Sequence, residues 1–99
     1  MSSIDQLTAD DFTAYLEKLF RPAGTDLRLR LVTVNRHQFP GWEAASRQPF
    51  SLILRGPPSP VLPEGLHPIA IADDPVLILY VIPILTAGDD HQDYQIAFN

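Results

Sequence analysis

Hydrophobic and polar positions alternate along much of this chain, and the exception is residues 76–82, Val76-Leu77-Ile78-Leu79-Tyr80-Val81-Ile82, an unbroken apolar run. In a strand, such a run leaves neither face for water. A chain this small usually buries one face of a sheet, so the second phase of the segment, Val76, Ile78 and Tyr80, needs a cover from the chain's own helix or from a partner. Residues 27–31 alternate strictly, which turns Leu27, Leu29 and Leu31 inward and Arg28 and Arg30 outward. The apolar phase flips at Val32 and Val34, predicting a β-bulge or a strand covered on both faces by its end. Phe50, Leu52 and Leu54 repeat the inward pattern, with Ser51 and Arg55 outward. Pairing of these two strands puts Arg28, Arg30 and Arg55 on one outer surface. Residues 66–72 form a weaker strand that Pro68 confines to an edge or a strand start. Pro83 ends or bends the 76–82 strand, and residues 94–99 alternate once more.

Ahead of the strands, Thr8 is a good N-cap, Asp11 can return a hydrogen bond to it, and Leu7 can staple onto Phe12. The helix is predicted to start at Ala9 and to carry Phe12, Tyr15, Leu16, Leu19 and Phe20 on one apolar face. Arg21-Pro22 and Gly24 stop it. Gly56-Pro57-Pro58-Ser59-Pro60 is a stiff turn, followed by a second at Pro63-Glu64-Gly65, between which Val61 and Leu62 are the residues able to pack. Short turns between apolar runs argue for antiparallel pairing, since parallel strands need long crossovers. The predicted fold is therefore α+β: an N-terminal helix packed on a small antiparallel sheet, or a partly closed barrel, of about five strands. Its core is predicted to hold Phe12, Leu16, Leu29, Leu52, Leu54, Leu79, Ile96 and Phe98.

The 99 residues fit one domain, 1–99, able to bury a single core. The ten prolines, about twice the usual share, sit mainly in connections. No cysteine is present, which excludes a disulfide framework or a thiolate metal site. Without a basic-then-apolar start or an apolar run near the roughly 20 residues of a membrane span, the sequence reads as cytoplasmic. The net charge of −5 is unevenly spread: residues 18–55 carry +5, the first seventeen −4 and residues 56–99 −6. Such polarity favours self-association or docking to a charged partner unless folding mixes the charges over one surface.

Chemistry is hard to find. His37, His67 and His91 show no ligand spacing, and the acidic stretch from Gly88 to Asp93 lacks the calcium-loop pattern. No nucleophile turn frames a serine, no Gly-rich phosphate loop is present, and so small a chain offers little room for a cleft. No catalytic residue, metal ligand or cofactor site is assigned, and the chain does not read as an enzyme. The best functional loop is residues 35–48, whose Arg36, Phe39, Trp42 and Arg47 are of the types favoured at hot spots, although Phe39 and Trp42 equally suit a plug on the core. A few arginines on an acidic chain make nucleic-acid binding electrostatically weak.

Leu7-Thr8-Ala9-Asp10-Asp11-Phe12, the run from Arg47 through Pro57, Leu62-Pro63-Glu64-Gly65, Tyr80-Val81-Ile82-Pro83 and Tyr94-Gln95-Ile96-Ala97-Phe98-Asn99 together resemble a family of small bacterial proteins of unknown function. Members tend to be encoded beside phage tail-collar-domain proteins, so the resemblance implies a part or accessory of a tail-like or fibre assembly. It brings no catalytic residues. Apolar Val76 and Ile78 depart from the family's charged positions on that face, which adds to the case for a contact surface.

The function these readings predict is a non-catalytic structural or protein-interaction module, without cofactor, that binds a protein partner or its own copies. No membrane, nucleic acid or small-molecule substrate is expected. Its interaction residues are predicted to be Val76, Ile78 and Tyr80, with Arg28, Arg30, Arg55, Phe39 and Trp42. The alternative is a small acidic inhibitor or immunity-like protein capping a basic partner, and a third is a small enzyme with an unrecognised site.

Overall fold

In the computed structural model, which describes residues 7–37, 49–84, 88 and 90–98, the alternating segments do become strands. Among these residues run α1 (Ala9–Thr13), β1 (Leu19–Pro22), β2 (Leu29–Arg36), β3 (Phe50–Gly56), β4 (Gly65–Ile71), β5 (Leu77–Ile84) and β6 (Gln92–Phe98). The strands close into a barrel in the order β1-β2-β3-β6-β5-β4, antiparallel at every seam. The expected α+β fold with about five strands is thereby overturned: among the described residues the protein is nearly all β, a closed six-stranded barrel with one short helix.

The difference lies in residues 14–22. Thr8 caps α1 through the predicted capping box, its backbone N–H donating to Asp11 Oδ2 at 2.8 Å and its Oγ1 accepting from the Asp11 N–H. The helix nevertheless stops at Thr13, and Leu19–Pro22 is a strand rather than its last turn. Phe20 and Pro22 face inward and Leu19 and Arg21 outward, a period of two that the helical reading of the same apolar residues concealed. As a strand, β1 pairs with both β2 and β4 and removes two open edges, which a helix laid over the sheet cannot do. Leu16, predicted in the core, is 40% exposed as a consequence.

The phase flip, which allowed either a bulge or a strand covered on both faces, is a bulge. Leu31 pairs with Leu54 and Thr33 with Ile53, so Val32 is the extra residue that moves the inward phase from Leu31 to Val34. Pro83, expected to end or bend the strand, does not end it and lies inside β5 opposite Tyr94. It is tolerated because the ladder to β4 finishes at the Gly65–Val81 pair, leaving no β4 partner for an amide there.

Side chains fill the barrel from both ends. At one end Phe12 of α1 packs on Phe98 and Phe50, with ring centroids 5.1 and 5.7 Å away, and those two rings stack at 4.6 Å. At the other, the proline-rich crossover from β3 to β4 drops Leu62 into the core, where its backbone N–H donates to the buried Tyr94 hydroxyl at 2.9 Å. Gly56 lies so close to Leu29 that a Cβ would stand 2.4 Å from Leu29 Cδ2.

Candidate functional site

Along β5 the inward phase, Leu79 and Val81, is buried and the outward phase is not. Val76, Ile78 and Tyr80 are 57%, 56% and 46% exposed, and Leu66 on β4 is 66% exposed. The antiparallel register sets Leu66 beside Tyr80 and Pro68 beside Ile78, so these five form one apolar strip over the β4–β5 seam. The Tyr80 hydroxyl donates to Glu64 Oε2 at 2.7 Å, which tethers the ring and raises the phenol's pKa above its ordinary value. Leu66 was not foreseen. Its signal was the alternation of Leu66 and Pro68 against inward Ile69 and Ile71, hidden by reading 66–72 as a weak strand.

The register sets the three predicted arginines on one outer surface, where two of them are already paired with carboxylates. Arg30 and Arg55 are cross-strand partners, and Arg28 precedes β2 on the same outward phase. Arg30 is held by Glu17 at 2.9 Å, and Arg55 makes a two-pronged contact with Asp93, its Nε and Nη2 donating at 2.9 and 3.2 Å. The Asp93 carboxylate raises the Arg55 pKa further. Arg36 in turn meets Asp10 at 2.6 Å. Every one of these pairs joins the basic middle of the sequence to one of its acidic flanks, so folding mixes much of the charge that the sequence keeps apart. Phe39 and Trp42 lie outside the described residues.

The histidines take separate partners. His67 Nε2 lies 2.7 Å from the Pro63 carbonyl, and His91 sits between Asp90 at 2.8 Å and Asp93 at 3.7 Å. Its hydrogen bond holds the Asp90 carboxyl below the usual aspartate pKa. His37 Nε2 is 3.0 Å from Ser51 Oγ. Ser51, expected to face solvent, is 2% exposed, and the imidazole satisfies its hydroxyl. A serine beside a histidine is a nucleophile–base geometry, but burial of Oγ denies it a substrate, and no carboxylate orients this ring among the described residues. Nor do the described residues contain a group of three or more His, Asp or Glu able to hold a metal ion.

A groove of ≈ 480 Å³ opens between α1 and the start of β5, contrary to the expectation that the chain has little room for a cleft. Phe12, Ile71, Leu77, Val76 and Ile78 line it, so it is continuous with the apolar strip. Tyr15, Asp11 and Asp74 supply its polar lining, with the Tyr15 hydroxyl donating to Asp74 Oδ2. That bond, with partial burial and the negative charges of Asp74 and Asp11, raises the Tyr15 pKa.

A domain-family model, DUF6916, a domain of unknown function, matches residues 7–98, and the chain belongs to that family. No curated protein and no solved structure matches it. No helix among the described residues is long and apolar enough to cross a membrane.

Proposed function

We propose that this DUF6916 protein is a non-catalytic interaction module that docks a protein on the outer face of the β4–β5 seam. The observation that carries the reading is the strip of Leu66, Pro68, Val76, Ile78 and Tyr80, exposed on strands whose inward residues already fill the core. Scattered apolar residues on a surface need no explanation, but a contiguous strip on paired strands is an aggregation hazard unless something covers it. Tyr80 and Ile78 are anchors that lose little entropy on docking, Tyr80 because Glu64 already holds it. The resemblance noted from the sequence suggests a phage-tail-like or fibre assembly as the setting. An acidic inhibitor draws less support, because Asp10, Glu17 and Asp93 lie on the chain's own arginines.

Ile78→Lys tests the reading, since the side chain points away from the core. Sedimentation and thermal melts of both forms, with affinity capture from the native host, are the measurements. The substituted protein is expected to melt like the wild type while losing the oligomer or the captured protein that the wild type retains. Unfolding of Ile78→Lys, or unchanged association, overturns the proposal.

A further inference from the structure

The groove at the end of the apolar strip says what the docked protein must bring. Its lining is apolar apart from a tyrosine and two carboxylates, with no cationic residue. Asp10, Glu17 and Asp93 each hold an arginine, whereas Asp11 and Asp74 have no cationic partner among the described residues. Asp11 is bonded to the helix cap and Asp74 to the Tyr15 hydroxyl, so both carboxylates are held in place. The two carboxylates therefore set negative charge at the mouth of an apolar groove, and the Tyr15 phenol, bonded to Asp74, has its pKa raised first by that bond and then by burial and both charges.

We infer that this groove accepts an extended segment of the docked partner in which an arginine lies two residues from a large apolar side chain. This rests on the docking reading above. In an extended chain residues two apart point the same way, so one side chain enters between Phe12 and Val76 while the guanidinium reaches Asp74. Arginine suits this place better than lysine because its planar head can fork onto a carboxylate and lie on the Tyr15 ring. A second copy of this chain carries this spacing at Leu19 and Arg21, both outward on β1, but that strand is already paired on both edges within the barrel and is not a free extended segment. Arg21 is moreover held by its own Ala72 carbonyl, and Arg28, the other exposed arginine without an ion pair among the described residues, has Asp26 and Arg30 two residues away rather than an apolar side chain.

The probe is the end-capped, fluorescently labelled peptide Gly-Leu-Ser-Arg-Gly and its neutral citrulline analogue, titrated against the full chain. Wild-type protein is expected to bind the arginine peptide saturably below about 1 mM, with NMR shifts centred on Tyr15, Val76 and Ile78. Citrulline, or Asp74→Asn, which still accepts from Tyr15, is expected to weaken binding by about tenfold or more. Val76→Arg, which brings a guanidinium into the groove, is expected to block it, and Asp26→Asn at the far end of the barrel to leave it unchanged. Equal binding of the citrulline peptide, or no saturable binding by the wild type, overturns the inference. So does self-association of the wild type that Asp74→Asn abolishes, since the occupant is then a second copy. If the arginine peptide fails while Ile78→Lys still destroys the partner complex, the docking reading stands and the groove's assignment falls.

Discussion

Asp90 and His91 are neighbours in the chain and partners in the fold, with the carboxylate 2.8 Å from Nδ1. The hydrogen bond from the imidazole is the main cause of the lowered Asp90 pKa. A carboxyl whose folded pKa is depressed stabilises the fold above its unfolded pKa and loses that contribution as pH falls through the folded value. Carboxyl NMR titration is expected to place Asp90 below the ordinary aspartate range in the wild type and within it in His91→Ala, with a shallower acid limb of the stability curve in the variant. Ala72 is a second local feature, in the left-handed region at φ 50° in the turn between β4 and β5, where its carbonyl accepts from Arg21 Nη2 at 2.7 Å. A Cβ in that region costs about 1–2 kcal/mol, partly offset by the greater freedom of an unfolded glycine. Ala72→Gly is expected to raise stability by about 0.5–1 kcal/mol in urea melts.

Among the elements, β1 decides the architecture. Its four residues are too few to make a stable ladder alone, yet Phe20 is fully buried and the strand seals the barrel between β2 and β4. Phe20→Ala is expected to cost about 3–5 kcal/mol, the range for emptying a buried aromatic site. Leu16→Ala and Leu19→Ala, on exposed positions, are expected to cost under about 0.5 kcal/mol each. A helix spanning 9–20 would instead make all three expensive, so chemical-denaturation melts of these variants separate the two architectures. The short α1 shows the same balance: capping stabilises its first turn, but little intrinsic helicity survives in so few residues, and its Phe12 matters as a plug against Phe50 and Phe98.

For the whole molecule, closure means that no strand is dispensable. β6 pairs with β3 along its length, from Gly56–Gln92 to Phe50–Phe98, and shares a shorter ladder with β5. Deleting residues 96–99 removes Ile96 and Phe98 from the core and leaves Phe50, Ser51 and Leu52 of β3 without their β6 partners. The truncated chain is expected to show no cooperative unfolding transition by circular dichroism and to recover mainly as aggregate. The three arginine–carboxylate pairs work on the same scale: Asp10 and Glu17 reach Arg36 and Arg30, and Asp93 reaches Arg55 across the β3–β6 seam. Partly exposed pairs contribute little stability each, but they leave Asp11 and Asp74 at the groove among the acids without an arginine.

The sequence by itself determined the parity of β2, β3, β5 and β6, the flip of phase after Leu31, the helix cap at Thr8 and the outward placement of Val76, Ile78 and Tyr80. These are local properties, written in a period of two or in a capping pattern within a few residues. Tertiary structure alone decided that residues 19–22 are a strand, because spacings such as Phe12, Leu16, Leu19 and Phe20 satisfy a helix while only the open edges of β2 and β4 reward a strand. It also decided which acidic residues meet which arginines, that Ser51 is buried on His37, and that Tyr15 and Asp74 meet at a groove. Contacts between residues dozens of positions apart follow from barrel closure and register, which no window of sequence contains.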